Sequence, residues 1–121
     1  MKCPVCKTVD LEQAGYTFRC NRCDGAWVKA EVVIPLLEER ASTIVELDWK
    51  PNTEAHVRAC PECGTAMETV KLGTVALDRH EPHGVWFDAR ELAALLKQAK
   101  AFRADPPEHA TLMEKLHKLL G

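Results

Sequence analysis

Residues 80–92 read His80-Glu81-Pro82-His83-Gly84-Val85-Trp86-Phe87-Asp88-Ala89-Arg90-Glu91-Leu92. A His-x2-His pair is followed at once by a glycine, an apolar block around a tryptophan, and an acidic residue that opens a helical pattern. Sixteen residues separate His80 from the end of the pair Cys60-Pro61-Glu62-Cys63 upstream. The same order of features occurs nearer the start of the chain. There Cys3-Pro4-Val5-Cys6 is followed after thirteen residues by Cys20-Asn21-Arg22-Cys23, and then by Gly25-Ala26-Trp27-Val28. The second copy is one residue shorter between its last ligand-type residue and its glycine. The chain is therefore an internal duplication in which His80 and His83 stand where Cys20 and Cys23 stand in the first copy.

Paired thiols, or a thiol pair with an imidazole pair, at these spacings point to tetrahedral Zn²⁺. Each short turn aims two side chains at one metal, and a hairpin brings two such turns together. Sulfur and imidazole donors suit zinc better than Mg²⁺ or Ca²⁺, which take oxygen. Two structural zinc ions are expected, site 1 on Cys3, Cys6, Cys20 and Cys23 and site 2 on Cys60, Cys63, His80 and His83. Disulfides are the rival for six cysteines, but Met1-Lys2-Cys3-Pro4 has no apolar stretch behind it and so reads as no secretory signal. A thioredoxin-like redox pair would want a βαβ context that the pattern lacks. The expected location is the cytoplasm.

The 121 residues are 46% hydrophobic and 28% charged, which excludes a largely disordered polymer. No apolar run approaches the roughly 20 residues that span a bilayer. Lys and Arg number 16 against 18 Asp and Glu, for a net charge of −2. Residues 1–30 carry a small basic excess through Lys7, Arg19, Arg22 and Lys29, far short of a general phosphate-binding surface. Four thiolates on zinc add two negative charges at site 1, whereas two thiolates and two imidazoles leave site 2 neutral. The loaded chain then stands near roughly −4.

In the first copy, residues 9–13 and 16–19 read as strands joined through Ala14-Gly15. In the second, residues 66–71 and 74–79 read the same way across Leu72-Gly73, glycine supplying the positive φ of a tight turn. Asp88-Ala89-Arg90-Glu91 has the form of a capping box with Asp88 as N-cap. Leu92, Leu95, Leu96 and Ala99 follow at helical spacing over residues 89–102. Pro35 is placed in the first turn of a helix that runs to about Ala41. Val45, Leu47 and Trp49 alternate with Glu46, Asp48 and Lys50 in a strand-like linker. Trp27 and Trp86 are expected to pack each ribbon against its own helix. Asp105-Pro106-Pro107-Glu108 opens a third helix with Leu112, Met113, Leu116, Leu119 and Leu120 on one stripe.

These motifs resemble the TFIIB-type zinc-ribbon family of transcription-factor zinc fingers: Cys-Pro-x-Cys, a hairpin, a second ligand pair, then Gly-apolar-Trp-apolar-Asp and a Glu-Leu helix. The second copy matches closely. The first is looser, with Lys29 where the acidic residue would stand, and His80 departs from the usual cysteine. The resemblance implies the fold and the zinc, not the biological role.

The expected fold is a small metal-stabilised α+β chain of two tandem zinc ribbons, each a β-hairpin with zinc knuckles followed by a helix, plus a C-terminal helix. Its divisions are residues 1–41 (first ribbon and helix), 42–58 (linker), 59–103 (second ribbon and helix) and 104–121 (C-terminal amphipathic helix). The expected function is a non-enzymatic, zinc-binding interaction protein that meets a protein partner and can self-associate through the C-terminal helix. The alternative is nucleic-acid binding or a transcription role. A third reading takes His80 out of the ligand set and makes site 2 a hydrolase with Glu81 as base; the duplication argues against it.

Overall fold

The computed structural model describes residues 1–52 and 57–104. The expected C-terminal helix with its leucine stripe, and His56, His109 and His117, lie outside the described residues. Within them the chain forms seven strands and two α-helices. The strands are β1 (Glu12–Ala14), β2 (Thr17–Arg19), β3 (Ala26–Lys29), β4 (Lys50–Pro51), β5 (Glu68–Leu72), β6 (Val75–His80) and β7 (Gly84–Phe87). Helix α1 covers Ala30–Ala41, α2 covers Glu91–Lys97, and a 3-10 turn follows at Ala99–Phe102.

All seven strands join one antiparallel sheet in the order β1-β2-β3-β7-β6-β5-β4. The two repeats are thereby joined in a single sheet, which the expectation of two ribbons in tandem did not include. The blocks around Trp27 and Trp86 are strands in their own right, and they pair with each other across the repeat boundary. Ala26 faces Phe87, Trp27 faces Trp86 and Val28 faces Val85. Under the repeat equivalence each tryptophan faces its own counterpart, and the flanking pairs exchange. A pseudo-two-fold axis therefore passes between the two tryptophans, at the centre of the sheet.

Both faces of this centre are covered, which is why β3 and β7 are apolar at successive positions instead of alternating. Ala26, Val28, Val85 and Phe87 point to the helical side, where they join Val33, Leu37, Leu92 and Leu95 in one buried cluster. Trp27 and Trp86, both fully buried, lie in a separate cluster with Cys3, Cys20, Cys60 and Met67. The tryptophans thus pack against the cysteine knuckles and not against their own helices, contrary to expectation. The alternation of side chains along a strand dictates it: once Val28 and Val85 face the helices, the tryptophans must face the other way.

Both hairpins turn one residue later than expected. The loops are Gly15-Tyr16 and Gly73-Thr74, with the glycine at φ +62° and +61° and its successor at negative φ, the pattern of a type II′ turn. Leu72 is therefore a buried strand residue paired with Val75. The Gln98 side chain clamps the second turn, accepting from the Thr74 N–H at 3.2 Å and donating to the Thr74 hydroxyl at 2.6 Å. The two edges of the sheet are short. β1 is three exposed residues and β4 is two residues ending in proline, which blunts pairing with other chains.

Two helix starts differ from expectation. Pro35 is the sixth residue of α1, not in its first turn, so the Glu31 carbonyl lacks its usual intrahelical donor. The first N–H of α1 is satisfied from the other repeat, by the His83 carbonyl at 2.9 Å. Helix α2 begins at Glu91 behind Arg90, whose φ is +71°. Asp88 does not cap it with its side chain. Only the return half of the box forms, with the Asp88 N–H donating to Glu91 Oε2 at 2.8 Å. The Asp88 carboxylate is engaged by the Trp86 indole N–H at 3.0 Å and by Arg58 at 2.7 Å. Arg58 also reaches Asp78, a carboxylate only 2% exposed, at 3.1 Å.

Candidate metal centres

Three tight turns carry the cysteines in the same way. Lys7, Asp24 and Gly64, each directly after a Cys-x2-Cys pair, adopt left-handed backbone at φ +65°, +61° and +78°. Their N–H groups return to the carbonyls of Cys3, Cys20 and Cys60 at 2.8, 3.0 and 2.8 Å. This closes each turn and turns further N–H groups onto sulfur. Cys6 donates to Cys3 Sγ at 3.3 Å, and Arg22 and Cys23 donate to Cys20 Sγ at 3.4 and 3.5 Å. The fourth turn is different because it is one residue shorter. His83 N–H closes on the His80 carbonyl at 2.9 Å, and β7 begins at the next residue.

Side-chain donors converge in two groups. Cys3, Cys6, Cys20 and Cys23 form one, and Cys60, Cys63, His80 and His83 form the other, with the donor atoms of each within 4.8 Å of one another. These are the two ligand sets read from the sequence, brought together without omission. In the first, Sγ–Sγ separations are 3.7 Å for Cys3 and Cys23 and 3.8 Å for Cys6 and Cys20. A tetrahedron with Zn–S of about 2.3 Å has edges of about 3.8 Å, so the cradle fits such an ion.

In the second group Cys60 Sγ and Cys63 Sγ lie 3.6 Å from the Nδ1 atoms of His83 and His80 respectively. The two Nδ1 atoms are 3.0 Å apart, close to the ~3.3 Å edge expected for Zn–N near 2.05 Å. Ring nitrogens that converge on sulfur and on each other suit a shared cation. Cys63 is exposed, whereas Cys3, Cys20 and Cys60 are buried.

Without a metal these thiols differ. Burial pushes the Cys23 thiol up to about 12. Burial raises Cys20 too, but the N–H groups of Cys23 and Arg22 outweigh it and leave that thiol at about 7. The Thr65 hydroxyl and N–H bring Cys63 to about 7.

The sequence did not single out the residues that tie the two groups together. Trp27 of the first repeat donates its indole N–H to Glu62 Oε2 at 2.9 Å, and Glu62 lies between the two cysteines of the second group. Glu62 occupies the position held by Val5 in the first knuckle, which is the only sequence sign of a special role. The glycines complete the arrangement. A Cβ on Gly25 would run into the Trp86 ring, and one on Gly84 would meet the Val28 carbonyl and, at 2.9 Å, the Trp27 ring. Each tryptophan therefore lies over the glycine of the opposite repeat.

Residues 59–98 match the model of the TFIIB-type zinc ribbon, the transcription factor zinc-finger family. The match takes in the second ligand group, Trp86 and α2. The first lies outside it, although its four cysteines form a cluster of the same kind. Neither curated proteins nor solved structures gave a match to the chain. The described residues thus combine an antiparallel sheet, two helices and two Cys/His groups able to hold metal ions, in keeping with a zinc-ribbon-like fold. Among them, no helix is long and apolar enough to cross a membrane.

Proposed function

We propose that the chain is a non-enzymatic zinc-binding protein whose two ribbon-like repeats form a scaffold for a protein partner. The observation that carries this reading is the completeness of both donor sets. Each group supplies four converging S or N donors, and a zinc ion held by all four keeps no position for water or substrate. Site 2 follows the same logic. His80 belongs to the donor set, and Glu81, the residue a hydrolase reading would use as base, is an exposed side chain 3.8 Å from Arg79. Zinc here would do structural work, holding the knuckles closed under the sheet.

The partner surface with the best support lies on α1. Pro35 and Glu39 are exposed on α1, beside Val32 and Leu36, which are half-buried and pack with one side against the core of Val33, Leu37 and Ala41. Val32, Pro35, Leu36, Glu39 and Tyr16, the last 72% exposed, line a shallow 290 Å³ groove flanked by Glu31 and Glu39. An apolar floor with acidic rims suits an apolar segment bearing basic residues. A photo-crosslinking residue at Tyr16 should capture such a partner, or a second copy of the chain. No crosslink in native lysate, together with a monomer in sedimentation, would end the interaction reading.

The nucleic-acid reading draws on the family model matched by residues 59–98. Lys7, Arg19 and Arg22 are exposed on the first repeat, but Lys29 is engaged over the Phe18 ring at 5.6 Å. With a loaded charge near roughly −4, little phosphate affinity is expected at physiological salt. A salt-dependent mobility shift with short DNA or RNA would favour this reading over the scaffold.

A further inference from the structure

We infer that the two metal sites fill as a linked pair, coupled through Trp27, Glu62 and Trp86. This rests on the zinc-binding reading and goes beyond it, because two sites in one chain need not influence each other.

The first repeat holds both knuckles of the second site. The Trp27 indole N–H bonds to Glu62, inside the Cys60–Cys63 knuckle, at 2.9 Å. The Ala30 N–H bonds to the carbonyl of His83, in the other knuckle, at 2.9 Å. In the reverse direction, the Trp86 ring covers Gly25, two residues beyond Cys23 of the first site. Trp27, Trp86, Cys3, Cys20 and Cys60 share one buried cluster, with cysteines from both sites against the same two rings. The Cys3-Pro4 and Cys60-Pro61 turns also line the two sides of one 400 Å³ cleft.

Cysteines of both knuckle sets pack in the one cluster that holds Trp27 and Trp86, so closing either set orders the tryptophan pair that the other also needs. The chain entropy lost in ordering that pair is lost once, at the first metal. The second metal then meets a preorganised site, which is positive coupling. Such coupling makes the one-metal species scarce.

The test uses Co²⁺ on the full chain, followed by native mass spectrometry and by absorption, which separates S₄ from S₂N₂ coordination. At one Co²⁺ per chain, apo and two-metal species should dominate, with the one-metal species well below the roughly half expected of equal independent sites. Both absorption signatures should rise together. Glu62→Val places the residue of the first knuckle in the second, so the turn is preserved. It should still bind two ions at saturation, but with a one-metal fraction at least about threefold higher. Trp27→Phe keeps an aromatic ring without the N–H and should act in the same direction.

Sequential filling in the parent chain, or a Glu62→Val protein that fills as the parent does, would overturn the coupling and leave zinc binding intact. A parent chain that takes up no metal would instead overturn the zinc reading itself.

Discussion

Gly25 and Gly84 hold equivalent places in the two repeats, and each lies beneath the tryptophan of the other. Gly25 needs no special backbone conformation, so its requirement is space alone. Gly25→Ala should cost about 2–3 kcal/mol, the scale of an overpacked core, and should perturb the near-UV signal of the tryptophans. Gly15→Ala has open space around it but a φ of +62°, so it should cost only about 1–2 kcal/mol and leave that signal unchanged. Urea titration and near-UV dichroism of the metal-loaded chain check both. Arg58 sits between two carboxylates, one of them buried, and Arg58→Met would leave Asp78 without this cation. The expected loss is about 2–3 kcal/mol, below the ~3–5 of a fully buried pair because Asp88 is partly open. A loss within experimental error would mean that Arg58 does not hold this corner together. Ligands were legible at this scale because metal spacing is local, whereas Arg58 and Glu62 act over distances that no local pattern reveals.

At the scale of elements, turns and helices could be read from glycine, proline and periodicity, but the central strands could not. Residues 26–28 and 84–87 are uncharged and buried at successive positions, so they lack the period of two that marks a half-buried strand. Their covering on both faces comes from pairing across the repeat boundary, and only the folded chain contains that pairing. The shorter spacing before Gly84 was visible, and its consequence is structural: it removes the left-handed residue that follows the other three pairs and starts β7 directly after His83. Asp88 matched a capping box in sequence, yet stronger partners in Arg58 and the Trp86 indole claim its carboxylate. Pro35 interrupts α1 while lining the groove beside Tyr16. Pro35→Ala should therefore raise stability by about 1–2 kcal/mol in thermal or urea unfolding. If the groove is the partner surface, the same change should weaken crosslinking from Tyr16.

At the scale of the whole molecule, the sheet and the metal sites form one structure. The helices cover one face, the knuckles cover the other, and β3 and β7 lie between them. Metal uptake should release protons, since burial holds Cys23 up at about 12 and a bound thiol must lose its proton. Protons compete with the metal, so affinity should fall on acidification through about pH 7, where Cys20 and Cys63 take up protons, and should keep rising at higher pH because Cys23 stays protonated there. A dye-competition assay that found no pH dependence would exclude thiolate ligation. The central claim is that this one sheet is built on two complete four-donor sites. Native mass spectrometry of the full chain with saturating zinc tests it most directly. The predicted result is a mass increase of two zinc ions per chain. A single bound zinc, or none, would contradict it.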